Sequence, residues 1–436
     1  MKPVPSSPTG PGAPVLRQAI STRRLIVVAT IGNAFEFFDL TVYSFFAVLL
    51  GKLFFPLASS QQQLLLSVGA FGIGFIARPA GGVLFGMLAD RFGRVAALNL
   101  ALLTMALGTA LIGVTPTYAQ IGIAAPIVIL AARLLQGFSA GGEVGVATTL
   151  LAERAPANRR GFVTSWQFAS QGAAALGGSL VGFVLSHFLD SASFESWGWR
   201  LPFLAGALVA PLGHYLRARV GDGEYAVHAA EPGGRAVLKT VFIRDSRQII
   251  LAFMIVIGGT APHFIVLYYM STYAIKVLHL PMDTSMWCGI LSGAVMCVMA
   301  PVGGSWSDRL GRKTVTLISR VALTLLVLPG FLAITRQPSV GTLYLVVGGL
   351  AALHSINAGA TGALLSEIFP RSTRATGLSI AYAAGVSIFG GFAQFFVTWL
   401  IGFTHNPSAP AWYVIVCGVL SLVPLAFITE RACEDI

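Results

Sequence analysis

Read only for apolar and polar positions, the chain alternates long apolar runs with short polar breaks. A bilayer core about 30 Å thick needs roughly 20 apolar residues per helix, and that ruler predicts twelve spans. Six are expected over Leu25 to Leu50, Leu64 to Leu88, Val95 to Thr115, Ile121 to Leu151, Val163 to Leu189 and Leu201 to Leu216. Six more follow over Ile249 to Ile275, Ser285 to Ser305, Thr314 to Thr335, Gly341 to Leu365, Ala375 to Phe403 and Trp412 to Thr429. The polar stretch between the two sets carries Gly221, Gly223, Pro232, Gly233 and Gly234 and has a linker's composition. The division is a disordered tail (1–24), a six-helix bundle (25–216), a linker (217–248), a second six-helix bundle (249–429) and a short tail (430–436). The first 20 residues have neither the apolar core nor the small-residue cleavage site of a signal peptide. The expected fold class is an all-α membrane protein with twelve transmembrane helices in two pseudo-symmetric six-helix bundles.

The two halves echo each other. The run GMLADRFGR, Gly86 to Arg94, returns 218 positions later as GSWSDRLGR, Gly304 to Arg312. Glu153, Pro156 and Arg160 are matched 214 positions on by Glu367, Pro370 and Arg374. Two unrelated landmarks at nearly one offset indicate an internal duplication. A period this long excludes a solenoid and fits two parallel bundles.

Composition excludes a soluble domain, since 55% of residues are hydrophobic, 10% are charged and the mean hydropathy is +0.78. A net charge of +11 raises the question of nucleic acid, so the position of the charge matters. With both termini cytoplasmic, 21 of the 28 Lys and Arg fall on the inner side, and the outer loops keep only Lys52, Arg200, Lys276 and Arg336. That is the positive-inside bias. Attraction to anionic lipid then accounts for the basic character without a nucleic-acid partner. Cys288, Cys297, Cys417 and Cys433 have no metal-like spacing, so no disulfide, metal or cofactor is expected.

Small residues recur every fourth position, as Gly137, Gly141 and Gly145 in the fourth span and Gly178 and Gly182 in the fifth. This spacing predicts close helix packing rather than phosphate binding. Local kinks are expected at Pro79, Pro262, Pro301 and Pro329.

An ionisable group at the bilayer centre costs about 2.5 to 3.5 kcal/mol on insertion scales and is a functional candidate by default. At 1.5 Å per residue, Asp39, Arg78 and Arg133 all fall about 18 to 21 Å from a surface. Glu36 and Tyr43 share a helix face with Asp39. One reading is a buried structural salt bridge; the other is a proton or substrate site. Asp39, paired with Arg133, is the preferred coupling acid, with Glu36 as the alternative. Arg78 is suited to clamp a carboxylate bidentately. Glu143 lies nearer the cytoplasm and is expected at an inner gate with the Asp90 and Arg94 turn. The second half has no matching mid-span acid; its polar groups are His263, Tyr268, Tyr269, His354, Asn357, Tyr382 and Gln394. The asymmetry suggests proton chemistry in the first half and shape selection in the second.

These residues resemble a known group. Gly86 to Arg94 and Gly304 to Lys313 resemble the loop signature of the major facilitator superfamily, and Arg133, Gln136 and Gly137 its fourth-helix motif. GNAFEFFDLTVYSFFA (Gly32 to Ala47), FIARPAGG (Phe75 to Gly82), RLLQGFSAGGEVG (Arg133 to Gly145) and WGWRLPF (Trp197 to Phe203) are similar to the metabolite:H+ symporter branch. TSWQFASQG (Thr164 to Gly172) and LSIAYAAGVSIFGGFAQ (Leu378 to Gln394) are most similar to citrate and tricarballylate symporters.

The resemblance implies a rocker-switch carrier that imports a small organic anion with protons, working as a monomer in the bacterial inner membrane. It implies proton coupling through Asp39 and Arg133, with Glu36, on the same helix face, the alternative acid. Arg78, Tyr43, Gln167, Gln171, His263, Asn357 and Tyr382 become the expected substrate contacts, and Asp90, Arg91, Arg94, Glu143, Asp308, Arg309 and Arg312 the expected gates. Carriers of 2-oxoglutarate, shikimate or betaine and proline are the alternatives in the branch. The long C-terminal helix of osmosensing relatives is not seen, which points away from an osmolyte carrier. An exporter is disfavoured because the fifth span contains no proline. A sensor is disfavoured because no sensory domain is appended, and an enzyme because no nucleophile, base and oxyanion arrangement is present.

Overall fold

The computed structural model describes residues 22–57, 59–92, 94–141, 143–208, 243–370 and 373–430. Among them there is no strand. The first half contains α1 (Thr22–Phe45), α2 (Ala47–Phe54), α3 (Ser60–Ile76), α4 (Arg78–Phe92), α5 (Arg94–Val114), α6 (Ala124–Ser139), α7 (Glu143–Arg154), α8 (Arg160–Phe188) and α9 (Arg200–Ala207). The second half contains α10 (Ser246–Pro262), α11 (Met270–Lys276), α12 (Met282–Leu310), α13 (Arg312–Arg336), α14 (Val340–Ile368), α15 (Arg374–Val386), α16 (Ala393–Thr404) and α17 (Ala409–Phe427). Nine of the described helices are long and apolar enough to cross a membrane, and Asn99–Val114 and Ala124–Ser139 are shorter apolar helices. The expected sixth span is described as Arg200–Ala207. Residues 1–21, 209–242 and 431–436 lie outside the described residues, and with them most of the expected tails and linker. α10 begins at Ser246, three residues before the expected start of its span.

The apolar runs are continuous in sequence but several are broken in space. The second breaks at Ala77, two residues before Pro79. Proline has no N–H for the carbonyl four residues earlier, and the freed Phe75 carbonyl accepts from Ser387 Oγ of the other half at 2.9 Å. The seventh run changes at Pro262, where α10 passes into a π-helical stretch, His263–Tyr269, before α11. A second π-helical stretch, Ser387–Gly391, separates α15 from α16. Such wide turns in helices are frequent at functional sites. Pro301 and Pro329, where kinks were also expected, sit inside unbroken α12 and α13.

Small residues set the packing. α8 and α12 run antiparallel along a seam in which Gly161 meets Gly304 and Ser307, and Gly172 meets Gly293 and Cys297. Further along, Ser179 meets Gly289 and Gly182 meets Met286. A first side-chain carbon on Gly172 would sit 2.9 Å from the Cys297 nitrogen and the Gly293 carbonyl oxygen. In the first half, Gly137 abuts the Gly74 carbonyl and Gly141 the Arg78 carbonyl, which brings α6 against α3 and α4. Backbones approach this closely only where side chains are missing.

Phe37, Phe46, Phe71 and Phe75 of the first half form one continuous buried cluster with Phe264, Tyr268, Tyr269 and Phe331 of the second. On the outside, Leu103, Leu107, Leu325, Leu345 and Phe403 are exposed, the pattern of a surface solvated by lipid.

Gly172→Leu is expected to destabilise the protein by about 1–3 kcal/mol through overpacking of the seam. Gly349, whose first side-chain carbon would meet nothing within 4 Å, should tolerate alanine. Thermal unfolding of the two variants in detergent checks the contrast.

Candidate functional site

Two buried ion pairs occupy the wall of the first half. Arg133 Nη1 lies 3.1 Å from Asp39 Oδ2, joining α6 to α1. Arg78 Nη2 lies 2.6 Å from Glu36 Oε1, joining α4 to α1. One helical turn separates Glu36 from Asp39, so a single face of α1 presents both carboxylates. All four groups line one cavity of about 20 Å³ with Phe71, Phe75 and Gln136. A cavity of that size holds about one water.

The Asp39 pair is held by a small polar network. Thr109 Oγ1 donates to Asp39 Oδ1 at 3.0 Å, Arg133 Nη1 to Gln136 Oε1 at 2.6 Å, and Gln136 Nε2 to Thr109 Oγ1 at 2.9 Å. The Arg133 guanidinium lies 4.0 Å over the Tyr43 ring, whose hydroxyl donates to the Ser67 carbonyl at 3.2 Å. Arg78 lies 4.1 Å over Phe75. Aromatic faces favour a cation where water is excluded. Arg133 Nε and Nη2 have no hydrogen-bond partner, so part of a strong donor fork is unused.

A second polar group joins α1 to α8. Asn33 Nδ2 donates to the Gln167 carbonyl at 3.0 Å and to Ser170 Oγ at 2.7 Å, and Gln171 Nε2 donates to Asn33 Oδ1 at 3.4 Å. Both amide atoms of the Gln167 side chain and the Tyr268 hydroxyl are buried without partners. Tyr382 lies within electrostatic reach of Arg78, Glu36 and Gln171. His263 Nδ1 lies 3.0 Å from His354 Nε2. Asn357 is placed elsewhere, accepting from Arg320 at 2.6 Å and donating to the Thr316 carbonyl and Ser319 Oγ.

The face on which α1 begins is closed by ion pairs between the halves. Arg160 meets Glu367 at 3.2 Å and Arg374 meets Glu153 at 3.6 Å. The two copies of the repeated Glu and Arg therefore pair crosswise. Asp308 accepts from the backbone N–H groups of Gly161 and Phe162, both at 2.8 Å, at the positive end of α8. Arg312 donates to Asp308 at 2.6 Å and to Glu367 at 3.4 Å. Arg309 is exposed. The side chains of Asp90, Arg91, Arg94 and Glu143 lie outside the described residues.

The opposite face is closed more lightly. Ser44 Oγ donates to the Tyr268 carbonyl at 3.3 Å and accepts from Gln394 Nε2 at 2.7 Å. Beyond this plug lies a cavity of about 370 Å³ lined from both halves by Lys52, Glu195, Lys276 and Met282 among others. The site is thus shut on both sides.

Asp39, Arg78 and Arg133 are expected at one level and Glu36, Asp39 and Tyr43 on one face of α1, and the structure brings all five together. The pairing of Arg78 with Glu36 was not foreseen, because depth along a helix says nothing about direction around it. Thr109, Asn33 and Arg320 were not singled out; lone Thr and Asn residues in apolar helices carry little signal. Arg160 and Glu367 were visible as repeats but not as partners.

A duplicated helical body with buried charges at its centre and closures on both faces is the architecture of a multi-pass membrane carrier. The family described as sugar (and other) transporters matches residues 25–222 and 222–434, and the chain belongs to it, within the major facilitator superfamily. A citrate-proton symporter of Klebsiella pneumoniae is 34% identical over 412 residues, covering 93% of this chain and 92% of that protein. A proline/betaine transporter of Escherichia coli K12 is 33% identical over 422 residues, covering 94% and 84%. A solved proton:xylose symporter of the major facilitator superfamily, bound to 6-bromo-6-deoxy-D-glucose, has a TM-score of 0.75 at 20% identity, covering 95% and 97%, which shows the fold.

Breaking a buried ion pair from one side costs about 3–5 kcal/mol, whereas removing both charges costs far less. Arg78→Met alone is therefore expected to lower thermal stability strongly, and Glu36→Gln with Arg78→Met to recover most of it. Thermal unfolding of the three proteins in detergent measures the difference.

Proposed function

We propose that the chain imports a small polycarboxylate, with citrate the first candidate, by proton symport across the bacterial inner membrane with both termini cytoplasmic. The observation that carries this reading is the pair of buried carboxylate and guanidinium contacts on one face of α1, Glu36 with Arg78 and Asp39 with Arg133. Similarity to citrate-proton symporters of Klebsiella pneumoniae and Salmonella typhi supports it.

Arg78 and Arg133 each have an internal acid. A substrate carboxylate replaces Glu36 at Arg78, matching the planar guanidinium fork. A proton on Asp39 removes the charge that holds Arg133. Its unpartnered Nε and Nη2 donors then become available to a second carboxylate. Gln167, Gln171, Tyr268 and Tyr382 supply neutral donors across the seam. The crosswise pairs Arg160 with Glu367 and Arg374 with Glu153 part as the halves rock, and release restores the internal pairs. Protons moving with the anion offset its charge, which matters because each elementary charge is worth about 2.3 kcal/mol per 100 mV.

A zwitterion is the second reading, because Glu36 and Arg78 offer both signs side by side and proline/betaine transporters are almost as similar as the citrate carriers. Competition by citrate, tricarballylate, 2-oxoglutarate, shikimate and betaine for uptake into proteoliposomes separates the two. Tricarballylate should compete with labelled citrate, and betaine should not. Accumulation of betaine alone would reverse the assignment.

Asp39→Asn should lower the accumulation of labelled citrate reached in an imposed pH gradient while leaving exchange of internal for external citrate. Accumulation equal to the wild type's by that variant would remove Asp39 from proton coupling. Arg78→Ala should weaken apparent citrate affinity at least tenfold in the exchange assay.

A further inference from the structure

The second half contains a pair of titratable groups that the preceding mechanism does not use. His263, first residue of the π-helical stretch, and His354, mid-way along α14, are 91 residues apart in sequence, and their rings place Nδ1 and Nε2 3.0 Å apart. Both are buried, at 6% and 1% exposure. The outer nitrogens, Nε2 of His263 and Nδ1 of His354, have no partner. The His263 ring also stands edge-on to Phe37 of α1, centroids 5.9 Å apart, so the pair reaches the seam between the halves.

Behind the pair is Arg320. Its guanidinium donates to the Ile255 carbonyl at 2.8 Å and to Asn357 Oδ1 at 2.6 Å. Among the described residues no carboxylate lies within ion-pair distance of it. The four charges of the first-half site cancel, so Arg320 leaves the buried centre with one surplus positive charge. Gly258 and Gly259 make room for it, since a side chain on Gly258 would come within 2.5 Å of Arg320 Nη1.

We propose that His263 and His354 form a single second proton-binding site, filled as the transported anion arrives, with Arg320 as the fixed charge that ties proton binding to the anion. The proposal rests on the polycarboxylate reading above. When both rings are neutral, one nitrogen of the inner pair donates to the other, and the outer nitrogens hold one N–H and one lone pair between them. A hydronium ion gives its proton to that lone pair, an N–H bond forms, and water is left behind. The imidazolium then shares its charge through the inner hydrogen bond, and the two rings titrate as one unit.

The charges facing the pair explain the linkage. From α13 comes Arg320, close enough to act on His354. Tyr268 of the same π-helical stretch packs against His263 at 5.4 Å between ring centroids. From α1 and α15, Glu36 and Tyr382 act on Tyr268, and Arg78 of α4 is neutralised by Glu36. A proton on the pair would thus stand beside a like charge in a dry site, which is unfavourable. An anion in the seam offsets Arg320 and makes room for that proton. When the anion leaves on the other side, the proton is expelled with it.

The test counts protons taken up per citrate bound, by titration calorimetry of the purified full-length protein in buffers of different ionisation enthalpy. His263→Gln, His354→Gln and the double variant should each take up one proton fewer than wild type, with no further loss in the double. Combining Asp39→Asn with His263→Gln should lose one more. Either single histidine variant tests the site, so a folding failure in one leaves the other. Citrate-binding histidine variants with the wild-type proton count would overturn the proposal. Wild-type protein that binds proline without proton uptake, and not citrate, would overturn the polycarboxylate reading instead.

Discussion

A guanidinium cannot lose its charge at the centre of a bilayer, and this one constraint organises the molecule. Arg78, Arg133 and Arg320 are buried within apolar helices, and each must have oxygen acceptors at every stage of any motion. The first two hold carboxylates of α1, and the third holds an amide and a carbonyl oxygen. An arrangement of that kind is rigid until something replaces the internal partner. A proton neutralises the internal acid and a substrate carboxylate takes its place at the guanidinium, so the two agents together do so without leaving a bare charge behind. Coupling then needs no wire between distant sites, because both agents act on adjacent turns of one helix.

The same logic is repeated at the face where α1 begins. Arg160 with Glu367 and Arg374 with Glu153 join equivalent positions of the duplicated halves, so each half supplies one acid and one base to the closure. The seam of small residues between α8 and α12 supplies the complementary feature, a smooth contact with few interlocking side chains. Rocking of one body on another needs both, a latch that is electrostatic and a bearing that is flat. The π-helical stretches at His263–Tyr269 and Ser387–Gly391 lie in the second half at the level where the halves touch. Their looser backbone pattern belongs to the side that must adapt to what is bound.

Much of this was legible in the residue order. The 30 Å ruler found the apolar runs, the two nine-residue loops revealed the duplication, and the depth count placed Asp39, Arg78 and Arg133 on one level. The breaks within the runs were less legible. Pro79 and Pro262 mark two of them, yet Pro301 and Pro329 lie in helices that stay intact, because tertiary packing decides whether a lost hydrogen bond opens the ladder. Direction around a helix was the main blind spot. It hid the Glu36 partner of Arg78, and it left His263 and His354 as separate lone histidines although their rings touch. Arg320 is legible as a charge inside or at the edge of a span, but its partners are neutral, and neutral acceptors carry no signature in a sequence.

The most direct test of partner exchange is the distance across the face where α1 begins. Spin labels at Asn158 and Leu310, both exposed and on opposite halves, in a protein with its native cysteines replaced, would report it by double electron–electron resonance. Exchange of partners predicts that citrate opens this face of the wild-type protein at acid pH and not at alkaline pH, and that in Asp39→Asn citrate opens it at both. Opening of the wild-type protein by citrate regardless of pH would contradict the account.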